Sequence, residues 1–198
     1  MSKKPLVLAL ALASSLSLLM LSLVSATNSA LVQDNLLVNG DFEAGISGWN
    51  VAYPATAITV TTPLTSGNWA VALTGTDTAG EIRIYQDVLV FAGATYTLTG
   101  YIYKDEPAFR YALFRIEWLN TDLPPVDSDS VTDNTGNYRP ITLGPIAAPP
   151  DGSKARISAI ADLATSDPPS PIFFDDLRLT SNMMPRGRLP LLLKNYQR

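Results

Sequence analysis

The chain of 198 residues contains no cysteine and no histidine. Without cysteine no disulfide can staple an extracellular fold, so folding must rest on a buried core, with or without a metal. The two absences together exclude Cys–His and Ser–His nucleophilic sites, and zinc sites built on thiolate or imidazole. Any metal must be held by oxygen. Bases are scarce in the body of the chain. Between residues 27 and 180, eight Lys and Arg stand against eighteen Asp and Glu, a net charge of −10. An acidic body argues against nucleic acid as a partner, because phosphate contacts need clustered Lys and Arg. It suits an extracellular protein, or one that loads divalent cations. After the first 26 residues no stretch carries the apolar period of an amphipathic helix.

The first 26 residues are different. Lys3 and Lys4 precede an apolar run over residues 6–24, and Val24-Ser25-Ala26 supplies the small residues a signal peptidase reads. This predicts a secretory signal peptide over residues 1–26 and a secreted or cell-surface protein. The alternative is a retained anchor, since the run approaches the ~20 residues that span a bilayer. Residues 27–34 read as a polar linker. At the other end, residues 181–198 combine the basic stretch 183–188 with an apolar clasp, Leu189-Pro190-Leu191-Leu192-Leu193. The clasp is too short to span a membrane. Two roles stay open for it: a sorting tail that meets a cell-surface partner, or an edge segment packed on the body.

Between these ends the pattern is that of strands. Ile58 and Val60 alternate, as do Trp69, Val71 and Leu73, so Trp69 is expected in the core with Trp49 and Trp118. Ile82, Ile84 and Val88 share one phase with Gln86, while Arg83, Tyr85 and Asp87 share the other. Further on, Leu98 and Ile102 oppose Thr97, Thr99, Tyr101 and Tyr103; next, Ala112, Phe114, Ile116 and Trp118 oppose Tyr111, Arg115 and Glu117. Strands are also expected over 138–143, over 155–163 with Ile157, Ala159 and Ala161 inward, and over 172–179. Residues 120–137 form a long polar loop of the kind that is functional or mobile. Eight to ten antiparallel strands with close turn signals predict an all-β sandwich.

The stretch Asn35-Leu36-Leu37-Val38-Asn39-Gly40-Asp41-Phe42-Glu43 leads through Gly45 and Gly48 to Trp49. Asn-Gly marks a turn that tolerates positive φ, and carboxylates beside exposed carbonyls suit a hard cation. This stretch and the closing run Phe173-Phe174-Asp175-Asp176-Leu177 resemble the opening and closing strands of carbohydrate-binding modules of families four and nine, and galactose-binding-like jelly rolls more broadly. The resemblance covers residues 35–180. It implies a jelly-roll fold in which the first and last strands are neighbours, with a structural Ca²⁺ between their ends. Carried over, Glu43 and Asp176 would be its side-chain ligands, with Gly40 and the Gly67-Asn68 turn as carbonyl donors. The competing expectation is that one acid caps a turn and the other is solvated.

The resemblance also implies a glycan-binding face. If the two tyrosine-bearing strands share a sheet, Tyr101, Tyr103, Tyr111, Arg115 and Glu117 cluster on one side, bordered by Tyr85. Tyrosine faces stack on sugar rings, while acids and arginine bind hydroxyls through charge-assisted hydrogen bonds. Ordinary cross-strand pairing is the alternative. No pair of carboxylates is marked for glycoside cleavage: Asp105 and Glu106 are adjacent on the chain, and Asp127 and Asp129 fall in the long loop. The expectation is a non-catalytic glycan- or polysaccharide-binding protein. Its rival is a surface or matrix protein that uses the fold for protein contacts, in which case the tyrosines would be buried or scattered.

Overall fold

A computed structural model describes residues 35–75, 80–165 and 170–183. The expected signal peptide 1–26, the linker 27–34 and nearly all of the tail lie outside these residues. Ten strands follow in order: β1 (Asn50–Ala52), β2 (Ala55–Val60), β3 (Ala70–Gly75), β4 (Gly80–Leu89), β5 (Thr95–Tyr103), β6 (Phe109–Leu119), β7 (Val126–Asp127), β8 (Tyr138–Ala147), β9 (Lys154–Leu163) and β10 (Ile172–Ser181). They build two five-stranded antiparallel sheets, β1-β4-β9-β6-β7 and β2-β3-β10-β5-β8. From β3 to β6 each strand crosses to the opposite sheet, as do β8, β9 and β10 in turn. The result is the β-sandwich that the strand pattern predicts, with the jelly-roll form that the resemblance implies.

Alternation sets which face of each strand is buried. Ile82, Ile84 and Val88 of β4, Ala112, Phe114, Ile116 and Trp118 of β6, and Ile157, Ala159 and Ala161 of β9 point into one core. Leu98 and Ile102 of β5 and Ile172, Phe174, Leu177 and Leu179 of β10 meet them from the other sheet. Burying a side chain of this size stabilises by about 1.5–3 kcal/mol, so the core replaces what disulfides would give.

Three expectations change. Trp69 is not a core residue: it precedes β3 and is 38% exposed, while Trp49 and Trp118 are buried. The apolar run 36–38 is a bend and turn instead of a strand. The long polar loop is partly sheet, since β7 pairs with β6 and Val131 bridges Ala112.

Gln86 explains its apolar phase. It is buried, accepts the Val38 N–H at 2.8 Å and donates to the carbonyls of Val38 and Gly48 at 3.0 and 2.9 Å. One inward amide thereby ties the opening turn to β4. Asn39, at φ 52°, holds the same turn by donating to the Gly45 and Ser47 carbonyls and accepting from Ala44 N–H. Its own carbonyl accepts the Trp49 indole N–H at 3.0 Å.

Candidate functional site

The outer face of the β1-β4-β9-β6-β7 sheet gathers the charged and aromatic side chains. Register places Glu81, Asp162 and Tyr111 in one row, Tyr85, Ser158, Arg115 and Asp127 in another, and Asp87, Arg156 and Glu117 in a third. Small or apolar residues of β9, Ser158 and Ile160, form a buried floor, and longer side chains of β4 and β6 flank it.

Arg115 is the centre of this face. Its guanidinium donates to both oxygens of Asp127 at 2.6 and 2.8 Å and to both oxygens of Glu81 at 2.9 and 3.1 Å. These bonds, chiefly to Asp127, raise its pKa further and keep it charged. Tyr111 donates its phenol to Glu81 at 3.0 Å. Burial first, then Glu81, pushes that phenol up to about 12, so it stays a hydrogen-bond donor. Arg156 pairs with Asp87 at 2.8 and 3.0 Å and lies 4.0 Å over the Tyr85 ring. Arg83 reaches Glu117 at 3.9 Å. Such two-point pairs fix side chains in one geometry before any ligand arrives. The Ser158 hydroxyl beneath them is buried without a hydrogen-bond partner among the described residues.

Four of the six expected ligand residues thus share a face: Tyr85, Tyr111, Arg115 and Glu117. Tyr101 and Tyr103 do not. β5 belongs to the other sheet, so both tyrosines lie on the opposite outer surface of the sandwich. There Tyr103 packs its ring against Tyr138 and Phe173, with centroids 5.4 and 5.5 Å apart. The single six-residue cluster is therefore corrected to two faces, because consecutive strands β5 and β6 cross between sheets instead of pairing. Glu81, Asp127 and Arg156 complete the charged face and were not expected there. Glu81 and Asp87 alternate in phase with Tyr85, a signal available in the sequence. Asp127 sits in a loop-like run and gave none.

The four expected metal residues stand near one another but with other partners. Glu43 accepts the backbone N–H groups of Asn68 and Trp69 at 2.6 and 3.0 Å and the Asn68 side-chain amide at 3.0 Å. These donors, led by the Asn68 backbone, lower its pKa. Glu43 thus spends both carboxylate oxygens on N–H donors of the turn whose carbonyls were the expected cation ligands. The Gly40 carbonyl accepts the Leu177 N–H at 2.8 Å, and Asp176 accepts the Ser66 hydroxyl at 2.6 Å. Asp175, fully buried, accepts from Thr65 N–H at 2.9 Å, the Thr65 hydroxyl and Asp176 N–H. No three acidic side chains converge among the described residues. As arranged, this set fits a hydrogen-bonded clasp and does not fit Ca²⁺.

No family model matches the chain, and no curated protein matches it. Solved structures do. A family 61 carbohydrate-binding module in complex with β-1,4-galactotriose is 17% identical with a TM-score of 0.54, over 74% of this chain and 97% of that one. A family 16 carbohydrate-binding module is 19% identical at 0.54, over 74% and 99%. The chain shares the β-sandwich fold of these modules. The xylan-binding CBM22-2 domain from Paenibacillus barcinonensis shares it, 18% identical at 0.52 over 72% and 97%. The same module-like sandwich matches part of a larger enzyme, the active domain of a bacteriophage CBA120 tailspike, at 14% identity and 0.60. The match takes in 74% of this chain but only 21% of that one. The modules named here belong to families 61, 16 and 22, whereas the opening motif resembles families four and nine.

Proposed function

We propose that the protein is a secreted, non-catalytic carbohydrate-binding module that holds a neutral polysaccharide on the outer face of the β1-β4-β9-β6-β7 sheet. The observation that carries this reading is the cluster of Tyr85, Tyr111, Arg115 and Glu117 on one open face, with the Arg83–Ile160–Leu113 row between Tyr111 and the other three. Tyrosine and paired charges offer a sugar both a stacking plane and fixed hydrogen-bond partners. Arg83, Arg115 and Arg156 are each already matched to a carboxylate. An acidic sugar would have to break those pairs, whereas a neutral hydroxyl accepts from or donates to them as they stand. The neighbouring modules add support, since one carries a neutral galactotriose and another is described as xylan-binding. Secretion rests on the signal-like residues 1–26.

Retention on insoluble galactan, xylan and glucan tests this. Replacing Tyr111 by Ala removes a ring and a donor, and should weaken retention roughly tenfold, the equivalent of about 1.4 kcal/mol. Wild-type protein that passes through every polysaccharide would overturn the reading. The scattering of Tyr101 and Tyr103 from Tyr111 favours the rival, a surface protein that uses the sandwich for protein contacts. That rival gains if retention is absent while the fold is intact.

A further inference from the structure

We propose a second, independent site on the opposite outer surface, formed by β5, β8 and β10, that takes a saccharide unit bearing a carboxylate. A groove of about 460 Å³ lies there, lined by Thr99, Tyr101, Pro140, Thr142, Asp176 and Arg178. Its volume falls within the roughly 300–1,000 Å³ typical of small-molecule sites. A neighbouring groove of about 540 Å³ shares Pro140 and Ile141 with it. The two leave room for a chain longer than one sugar.

Arg178 decides the ligand class. It is exposed, and it is the one arginine among the described residues without an ion pair; Arg83, Arg110, Arg115, Arg139 and Arg156 all have one. The acid beside it is engaged elsewhere, since Asp176 accepts the Ser66 hydroxyl at 2.6 Å. A free guanidinium fork matches a carboxylate through two parallel hydrogen bonds. In register with it, Thr99 and Thr142 flank the same row with two hydroxyls, and Tyr101 lies in the next row opposite Pro140. Tyr101 supplies a half-buried ring for a pyranose face.

The backbone here is also shaped. β10 carries a register shift between Asp175 and Arg178, and Asp176 has φ 51°. A bulge re-aims the side chains that follow it and is common beside binding sites. A non-glycine residue held at positive φ is costly, and such residues cluster at ligand sites.

The test is calorimetric titration of the protein with trigalacturonate, its methyl ester and neutral galactotriose. The expected result is one trigalacturonate per protein at a site where the methyl ester and the neutral sugar bind far more weakly. Arg178→Gln should weaken trigalacturonate roughly tenfold or more, as loss of a charge-assisted pair implies, and Tyr101→Ala should weaken it too. Arg178→Gln should leave retention on neutral polysaccharide unchanged, so failure here and failure of the glycan face are told apart. Absent binding, equal binding of the methyl ester, or binding that survives Arg178→Gln would each overturn the proposal.

Discussion

Glu43 shows how a residue can be placed correctly and still have a different partner. The resemblance implies a cation held between Glu43 and Asp176. In the structure, N–H groups of Asn68 and Trp69 take the cation's place at Glu43. The sign of the pH effect follows. A carboxyl whose folded pKa is lowered from 4.5 contributes stability above that value. That contribution is lost as pH falls through the folded pKa. In urea melts, Glu43→Gln should be less stable than wild type near pH 7, and the gap should close as acid protonates wild-type Glu43. A stability gap that persists unchanged in acid would mean that the carboxylate charge is not what holds the turn.

At the scale of elements, alternation made most strands legible. Phases of two residues placed Ile82, Ile84 and Val88 inward, and likewise Ala112 to Trp118, without any knowledge of partners. Pairing was not legible. Tyr103 and Tyr111 sit on successive strands with similar patterns, yet the crossover from β5 to β6 puts them on opposite surfaces. Period-two patterning reports which face a residue takes within its strand and is silent on which sheet the strand joins. The two-residue β7 was hidden for a related reason, because so short a strand is defined by its partner Arg115–Ile116 and not by its own sequence. Gln86 looked like a polar break in an apolar phase, and its role depends on residues 48 and 38 positions away in sequence. Gln86→Leu would keep the volume but strand the Val38 N–H and two carbonyls. It should cost roughly 2–3 kcal/mol in denaturant unfolding, since each unsatisfied buried group costs about 1 kcal/mol or more. A loss under about 0.5 kcal/mol would show that water satisfies those groups instead.

Over the whole molecule, the question is what holds the first and last described segments together where no disulfide exists. The opening segment lies along the central strand of its sheet: Leu36 N–H donates to Leu179 O at 2.9 Å, and Leu177 N–H to Gly40 O at 2.8 Å. Asn35 adds two side-chain bonds, donating to Leu177 O at 2.8 Å and accepting from Leu179 N–H at 2.9 Å. Gly40 is needed at this contact, because a Cβ there would overlap the Leu177 carbonyl. Glu43 and Asp175 then fasten the turn at residues 65–69 to both ends. β10 pairs with β3 on one side and β5 on the other, so each bond to it is a bond to the middle of the sheet. A clasp of this kind needs no cation, and that separates it from the metal expectation by experiment. A bound Ca²⁺ stabilises in proportion to the logarithm of its concentration over its dissociation constant. Thermal melting should therefore give the same Tm, within about 1 °C, with millimolar calcium and with chelator, while Gly40→Val should abolish cooperative unfolding. A chelator-induced fall of several degrees, removed by Glu43→Ala, would instead place a cation between the acids and make the hydrogen bonds at Glu43 the arrangement of its unloaded state.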